Sequence, residues 1–175
     1  MTRQTAKTPA PLVRRATSED CESIARIYNE GIAERRSTFE INERSAAEIS
    51  RWLSSPEYPV LVVEHASCDV LGWARISAYS ARPCYSRVGE ASVYVSASAR
   101  GQGLGSALAD ELQNAAEEAG FQKLVGKLIA KNTASLALAA RHGFREVGLH
   151  LRHGKLDGQW HDVLIIELLL GDITI

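Results

Sequence analysis

A strand that runs into a glycine-rich turn and then into a long helix is the feature that most restricts the fold of this chain. Residues 93–106 read VYVSASARGQGLGS, and apolar residues then recur at helical spacing as far as Gly120. Glycines let a backbone approach an anion closely, and the first N–H groups of a helix have no partner within it. Arg100 adds a positive charge beside them. The segment therefore predicts a binding site for a pyrophosphate group.

Two other phosphate-binding motifs do not fit this stretch. A P-loop requires Gly-Lys-Ser/Thr, which the turn lacks, and a dinucleotide-binding G-x-G-x-x-G motif would require glycine at Ser106. The alternative without a ligand is a plain turn that contains three glycines.

The rest of the chain mixes strand and helix patterns without strict alternation. Thr17 with Asp20, and Ser45 with Glu48, have the spacing of capping boxes ahead of helices. Two further helices are predicted at about 103–119 and 132–142. Strands are predicted at 12–16, 59–65, 70–79, 90–96, 123–130, 144–151 and 160–169, with a turn at 66–69. We therefore expect a mixed α/β or α+β layer structure.

Length and charge restrict the class of protein. The 175 residues can bury one core, so we expect a flexible tail over residues 1–10 and a single domain over 11–175. The formal net charge is −1 and the basic residues are scattered, which argues against a nucleic-acid partner. Apolar runs such as 163–170 are far shorter than the ~20 residues that a membrane span needs. No signal segment precedes the domain, so the sequence predicts a cytoplasmic protein.

The cysteines and histidines do not predict a metal site. Cys21, Cys68 and Cys84 form no C-x-x-C pair and are expected to be reduced thiols. His150 and His153 lie three residues apart in a predicted strand, a spacing that would direct them to opposite faces.

The glycine-rich segment and a later segment resemble a known enzyme superfamily. Arg100-x-x-Gly103-x-Gly105 after a strand is similar to the acyl-CoA signature of the GCN5-related N-acetyltransferases (GNAT). Residues 132–135 (NTAS) and 141–144 (RHGF) resemble the second cofactor segment of that superfamily. The resemblance covers roughly residues 12–170. It implies a GNAT-like fold with a mostly antiparallel central sheet of about seven strands, flanking helices, acetyl-CoA as co-substrate and no metal.

The resemblance also implies which residues bind acetyl-CoA. Backbone groups of β-strand residues would contact the pantetheine arm, the glycine-rich turn would surround the pyrophosphate, and an asparagine at a helix start would bond the pantetheine. The residues implied are Val93, Tyr94, Val95, Arg100, Gly101, Gln102, Gly103, Leu104, Gly105, Ser106, Asn132 and Ser135.

Within the superfamily, four segments look like the phosphinothricin N-acetyltransferases and their arsinothricin-acetylating relatives. They are residues 27–30 (IYNE), 37–40 (STFE), 90–95 (EASVYV) and 158–163 (GQWHDV). Those enzymes are homodimers that detoxify amino-acid antibiotics by acetylating the α-amine. The resemblance implies the same activity here, with Glu90 as the general base.

The chemistry of amine acetylation gives Glu90 a defined task. An ammonium group cannot attack a thioester until it loses a proton, so the site needs a base within reach. A backbone N–H among residues 93–95 would donate to the oxygen that becomes negative. One departure from the family is Ala139, where many relatives carry tyrosine and the phosphinothricin enzymes histidine. A general acid is therefore missing there, although a thiolate can leave without one at modest cost.

A glutamate-like acceptor would present anions, so its pocket should contain cations. The candidates for substrate binding are Phe39 in loop 36–44, Arg75, Arg82 and Tyr85, and Ser80 stands where the family would place a lysine. Two alternatives remain open. The acceptor could be another amine, such as a polyamine, an aminoglycoside or a protein N-terminus, or the chain could bind acyl-CoA without catalysis.

Overall fold

A computed structural model describes residues 11–64 and 69–171. The tail predicted at residues 1–10 lies outside these ranges, as do Cys68 and the predicted turn at 66–69 except Asp69. The helices of the described chain are α1 (Cys21–Ala33), α2 (Ala46–Ser50), α3 (Leu104–Glu118) and α4 (Thr133–Arg141). Its strands are β1 (Leu12–Arg15), β2 (Val60–Glu64), β3 (Val70–Ala78), β4 (Val88–Val95), β5 (Lys123–Ile129), β6 (Arg145–Leu156) and β7 (Gln159–Leu169).

The strands form one seven-stranded sheet in the order β1-β2-β3-β4-β5-β7-β6. All neighbours are antiparallel except β4 and β5, which are parallel and pair only between residues 88–90 and 123–125. The prediction of a mixed, mostly antiparallel seven-stranded sheet with flanking helices is confirmed. None of the helices in the described ranges is both long and apolar enough to cross a membrane.

Both predicted capping boxes are present and explain where the first two helices begin. The Thr17 N–H donates to the Asp20 carboxylate at 2.7 Å, ahead of a short 3-10 turn that leads into α1. The Ser45 N–H donates to Glu48 at 2.9 Å, and the Glu48 N–H donates back to the Ser45 hydroxyl at 3.3 Å. These bonds satisfy N–H groups that have no partner inside the helix.

The sheet carries helices on both faces, and the faces hold different cores. On the side that we call the α3 face, Leu104 and Leu108 of α3 pack with Ile76 and Leu124 of the sheet. Helix α4 lies on this side too, because a Cβ at Gly105 of α3 would be 3.4 Å from the Leu138 side chain. On the opposite side, which we call the α1 face, the buried residues are Cys21, Ile24, Ala25, Ile27, Ile49, Val60, Val62, Val70 and Trp73.

Strand β6 is longer than predicted, and it contradicts the expected placement of two histidines. It runs to Leu156 and turns into β7 through Asp157 and Gly158, which have φ of 47° and 81°. The pairing register of β6 with β7 shifts between His150 and Gly154, and Arg152 in this bulge has φ of 47°. A bulge adds a residue and breaks the alternation of faces.

The two histidine rings therefore lie together instead of on opposite faces. Nδ1 of His150 is 3.3 Å from Nδ1 of His153, and the ring centroids are 4.5 Å apart. The prediction that odd spacing separates them was wrong because it assumed a regular strand.

Candidate active site

Strands β4 and β5 separate after three paired residues and leave a cleft between them. Their pairing ends at Glu90 and Val125. A cavity of about 110 Å³ occupies the opening, and we call it the β4–β5 cleft. Its walls come from both sides of the sheet, with Ser37 on the α1 face and Ser135 and Leu138 of α4 on the α3 face. The cleft therefore connects the two faces next to Glu90.

The β4 backbone presents hydrogen-bonding groups to this cleft at every second residue. The Ser96 N–H donates to the Leu71 carbonyl on the β3 side at 2.8 Å. Successive residues of a strand direct their N–H and C=O groups to opposite sides, so Val93 and Val95 direct theirs away from β3. The Val95 carbonyl accepts a bond from Nε of Arg100 at 3.2 Å. Val93 and Val95 thus have the backbone orientation that pantetheine binding requires.

The glycine-rich turn follows β4 and leads into α3. Gly101 and Gly103 have φ of 77° and 82°, in the left-handed region that favours glycine. A side chain at either position would project into open space rather than into the protein. Gly103 is the N-cap of α3, so the next three residues expose N–H groups with no helical partner. An anion can approach these N–H groups without obstruction.

The other residues of the turn contribute in different ways. The Leu104 side chain is buried in the α3-face core, so only its backbone faces the turn, whereas Gln102 is exposed. Nη1 of Arg100 forms an ion pair with Glu34 at 2.8 Å, and this pairing partly neutralises the positive charge expected at the mouth.

Helix α4 begins at Asn132 and borders the cleft. Oδ1 of Asn132 accepts a bond from the Ser135 N–H at 3.2 Å and caps the helix. The other half of the Asn132 amide is its NH₂ group, which makes no hydrogen bond to another described residue and can donate to a ligand. No residue of α4 is fully buried, and Ser135, Leu138 and Ala139 line the cleft. The helix side that faces the cleft is thus uncovered by protein.

The Tyr94 side chain belongs to an aromatic cluster on the α1 face and not to the cofactor turn. Its ring stacks on the Trp73 ring, with 4.6 Å between the ring centroids, and contacts the Tyr28 ring edge-on, with 5.0 Å between the centroids. Its hydroxyl donates to the Ser37 carbonyl at 3.3 Å. Burial raises the pKa of Tyr94 well above its ordinary value, so the phenol stays neutral. The Tyr94 side chain is therefore not available to a cofactor on the α3 face.

Glu90 lies on the α1 face, at the end of the cleft where β4 and β5 meet. Its carboxylate forms an ion pair with Nζ of Lys127, on β5, at 2.6 Å. Lys127 Nζ also lies 5.8 Å from the centre of the Tyr79 ring. The sequence did not identify Lys127, because no periodic pattern tells which later strand will pair with β4.

Arg75 shares the α1 face with Glu90. In the β3–β4 register, Glu90 is opposite Ser77 and Arg75 is opposite Ser92, so their side chains point the same way. The guanidinium lies 3.9 Å above the Trp52 ring and makes no ion pair with another described residue. Burial lowers the pKa of Arg75, against smaller opposing effects of Tyr28 and Glu90. An anion next to Arg75 would compensate for the hydration that its positive charge loses on burial.

The other expected substrate residues are placed differently. Phe39 packs over Gly154 of β6, and its ring lies 6.2 Å from His161. Tyr85 meets the ring of Tyr79 at 5.5 Å, which links it through Lys127 to Glu90. Arg82 is exposed in the turn after β3 and forms no ion pair within the described part of the chain. The structure therefore brings Arg75 beside Glu90 and leaves Arg82 at the surface.

The family of the chain follows from a comparison with family models. The model for the acetyltransferase (GNAT) domain matches residues 13–165, which is most of the chain. The chain belongs to the GNAT acetyltransferases. This GNAT enzyme resembles the phosphinothricin N-acetyltransferase of Streptomyces coelicolor, with 35% identity over 160 residues that cover 89% of this chain and 94% of that protein.

Two further relatives match nearly the whole GNAT domain. The L-methionine sulfoximine/L-methionine sulfone acetyltransferase of Pseudomonas paraeruginosa is 29% identical over 161 residues, covering 90% of this chain and 94% of that protein. The crystal structure of a phosphinothricin acetyltransferase from Sinorhizobium meliloti in complex with acetyl-CoA is 32% identical, with a TM-score of 0.88. That match covers 93% of this chain and 89% of the other.

The GNAT enzyme transfers acetyl groups, and acetyl-CoA is its co-substrate. The residues present fit that molecule, because backbone groups of β4 face the cleft and no described residue fills the space beside Gly101 and Gly103. A carboxylate that can accept a proton stands at the closed end of the same cleft. The described residues contain no cluster of three or more metal-binding side chains.

Proposed function

We propose that this enzyme acetylates the α-amine of a small glutamate-like amino acid, such as phosphinothricin, arsinothricin or methionine sulfoximine. Acetylation would inactivate an antibiotic of this kind and confer resistance. The observation that carries the proposal is the placement of Glu90 and Arg75 on one face of the sheet, beside the cleft.

The spacing of these two side chains suits an amino acid. Glu90 and Arg75 are diagonal neighbours across β3 and β4, a relation that separates backbones by about 7–8 Å and lets long side chains meet the same ligand. The amine would face Glu90 while a carboxylate or phosphinate binds Arg75. A guanidinium forms paired hydrogen bonds with such anions. A polyamine would offer no partner to this half-buried cation.

Glu90 acts as the general base in this proposal. Its carboxylate accepts the proton of the ammonium, directly or through one water, so that the neutral amine can attack. Lys127 holds that carboxylate in place through an ion pair at 2.6 Å. A backbone N–H of Val93 or Val95 donates to the oxygen that gains negative charge.

The cofactor residues of the proposal follow the cleft from its closed end to the helix start. The β4 backbone and Asn132 hold the pantetheine arm, and the N–H groups at the start of α3 hold the pyrophosphate. The full set is Val93, Tyr94, Val95, Arg100, Gly101, Gln102, Gly103, Leu104, Gly105, Ser106, Asn132 and Ser135. Phe39, Arg82 and Tyr85 join Arg75 as acceptor residues of the proposal.

We further propose that the enzyme is a cytoplasmic homodimer that uses β6 as its interface. Strand β7 lies inside the sheet, so its buried residues, such as Leu164, are core rather than interface. Strand β6 is an edge strand and exposes Val147, Leu149 and Leu151. Exposed apolar groups on an edge strand favour pairing with another chain. The free thiols Cys21 and Cys84 support a reducing compartment.

A panel of acceptors tests the proposed substrate class. Purified protein would be incubated with acetyl-CoA and phosphinothricin, methionine sulfoximine, glutamate, spermidine or an aminoglycoside, and thiol release would be followed. We expect kcat/KM to be highest for a glutamate analogue. A preference for spermidine or an aminoglycoside would overturn the substrate class and leave the acetyltransferase activity intact.

Arg75→Gln tests the same proposal at the residue that carries it. Losing one charged, bidentate contact of roughly 1.5–3 kcal/mol should lower kcat/KM for the preferred amino acid about 10- to 150-fold. Acetyl-CoA binding should stay unchanged. Arg15→Gln removes the same charge from the exposed end of β1 and is the matched control. Equal kinetics of the two variants would contradict a role for Arg75 in acceptor binding.

A further inference from the structure

His142 lines the β4–β5 cleft and has one ring nitrogen without a hydrogen-bond partner in the described part of the chain. The residue follows α4, lines the cleft, and has a side chain that is only 8% exposed. Its Nδ1 lies 2.8 Å from Oδ1 of Asp110, on α3. Its Nε2 is buried and finds no hydrogen-bond partner among the described residues. Buried polar atoms without a partner are rare because each one lowers stability, so the unpaired Nε2 indicates a possible ligand contact.

The imidazole is held in place on two sides. Asp110 accepts a hydrogen bond from Nδ1–H, which fixes the orientation of the ring and leaves Nε2 without a partner in the described part of the chain. The Gln113 side chain donates to the His142 carbonyl at 2.9 Å and anchors the backbone. Both partners belong to α3, so His142 approaches the cleft from the α3 face.

His142 stands at the closed end of the cleft, where Glu90 also stands. The adjoining pairs Gly89–Leu124 and Leu124–Leu168 cross the sheet at that end. A Cβ at Gly143, next to His142, would be 3.4 Å from the Leu168 side chain. The other end of α4 lies at the open end, since the Asn132 N–H donates to the carbonyl of Ile129, the last residue of β5.

Glu90 and His142 therefore face the same end of the cleft from opposite sides of the sheet. Glu90 approaches from the α1 face, where the proposed acceptor binds, and His142 approaches from the α3 face. If the thioester carbon lies between them, the amine attacks it from the side of Glu90. The sulfur then departs on the side of His142. This placement rests on the proposed binding of pantetheine in the β4–β5 cleft.

We propose that His142, positioned by Asp110, is a second catalytic residue that protonates the departing sulfur of coenzyme A. As the C–S bond breaks, its electron pair stays on sulfur, and the imidazolium transfers its Nε2 proton there. The products of this step are the free thiol and a neutral imidazole. The imidazole regains a proton from solvent, which reaches the exposed Asp110 at 68% accessibility. The acceptor amine gives its own proton to Glu90.

Ala139 lines the same cleft, at the position where relatives carry a general acid, but its side chain has no proton to transfer. His142 would supply the proton instead. Ala139 lies three residues before His142, and residues at that spacing are neighbours on a helical surface.

His142→Gln tests the proton transfer. Glutamine keeps a hydrogen-bond donor but cannot transfer a proton, so we expect kcat to fall roughly 10- to 100-fold, at the low end of general acid catalysis because a thiolate leaves readily. His153→Gln changes a surface histidine and should behave as wild type.

Binding of coenzyme A and of desulfo-coenzyme A, measured by calorimetry, gives a readout that does not depend on turnover. One hydrogen bond from Nε2 to sulfur should make the wild-type enzyme bind coenzyme A roughly 2- to 10-fold more tightly than the desulfo analogue. His142→Gln should reduce that ratio to about 1. Asp110→Asn should reduce it in part, whereas Glu111→Gln, one residue along the exposed side of α3, should leave it unchanged.

The outcomes separate this proposal from the proposed function. A kcat of His142→Gln equal to that of wild type, or an unchanged binding ratio, would overturn the role of His142 while the cleft assignment stands. Failure of the wild-type enzyme to bind either molecule would overturn the cleft assignment itself.

Discussion

Glu90 is the residue on which the proposed chemistry depends most directly. Replacing it by Gln keeps its shape and removes its capacity to accept a proton. We expect kcat to fall by about 10² to 10⁴, with nearly unchanged affinity for acetyl-CoA, since the carboxylate faces away from the cofactor side of the sheet. Steady-state kinetics and calorimetry measure the two quantities. Near-normal kcat at neutral pH would mean that another group is the base, and Glu118→Gln, on exposed α3 surface, serves as the control.

Glu167 leads to a second prediction about a single residue, which concerns how the stability of the protein depends on pH. This buried carboxylate of β7 pairs with Lys123 and Arg145, and these partners hold its pKa below the ordinary value. A carboxyl group with a lowered folded pKa stabilises the protein above its unfolded pKa of about 4.3. That stabilisation disappears as the pH falls through the folded pKa.

Glu167→Gln should therefore lower the free energy of unfolding at pH 7 by about 1–3 kcal/mol. The difference from wild type should shrink as the pH falls from about 4.3 through the lower folded pKa, where the native carboxyl also becomes protonated. Urea denaturation at pH 7 and at acid pH measures the free energy of unfolding of both proteins. Glu146→Gln, at an exposed site next to Arg145, should change little. A difference that persists undiminished at acid pH would assign it to packing instead of charge.

Sequence could predict some of these residues and not others. Glu90 was implied by the resemblance to the phosphinothricin enzymes, and Arg75 was a candidate because it lies on a predicted strand that flanks Glu90. Lys127 was not, since its ion pair with Glu90 depends on β5 lying parallel to β4, a long-range pairing that no local pattern encodes. His142 carries no local signal either, because its role depends on Asp110 of another helix.

At the scale of elements, the junction between the glycine-rich turn and α3 has a strict steric requirement. Gly103 has φ of 82°, and a side chain there would stand in the open space before the helix N-terminus. Gly103→Val should abolish acetyl-CoA binding in calorimetry and lower stability by about 1–2 kcal/mol, because a β-branched residue tolerates this conformation poorly. Gly148→Ala is the matched control, as its Cβ would also meet open space while its φ is ordinary. Normal binding by Gly103→Val would locate the pyrophosphate elsewhere.

The same scale shows why most elements could be predicted, whereas the full length of β6 and its bulge could not. Capping boxes and terminal glycines are local signals, and they located α1, α2 and the end of α3. Asp157 and Gly158 form the two-residue turn of this hairpin, and an Asp-Gly pair is a local signal of such a turn. The two strands therefore extend up to this pair on either side. The bulge near Arg152 has no such signal, because Asp162 of the opposite strand holds it by accepting a bond from the Arg152 N–H at 2.7 Å.

At the scale of the whole molecule, the exposed edge of β6 predicts the oligomeric state. Leu149 and Leu151 are 50% and 70% exposed. If β6 is the interface of a homodimer, Leu149→Lys with Leu151→Lys should convert the dimer into a folded monomer, since it places charges in a buried contact. Light scattering gives the mass, and Leu12→Lys, on the opposite edge strand at 59% exposure, should remain dimeric. A monomeric wild-type protein would contradict the interface.

The division of β4 into two sides has an evolutionary consequence. In the proposed mode of binding, its odd-numbered residues serve the cofactor through backbone atoms, which every amino acid except proline supplies, whereas the side chains of the even-numbered Glu90 and Ser92 lie on the acceptor face. Mutation can therefore vary the acceptor surface while the cofactor surface is inherited unchanged. Descendants of one ancestor can diverge to about 30% identity and specialise on different amines without rebuilding the machinery that delivers the acetyl group.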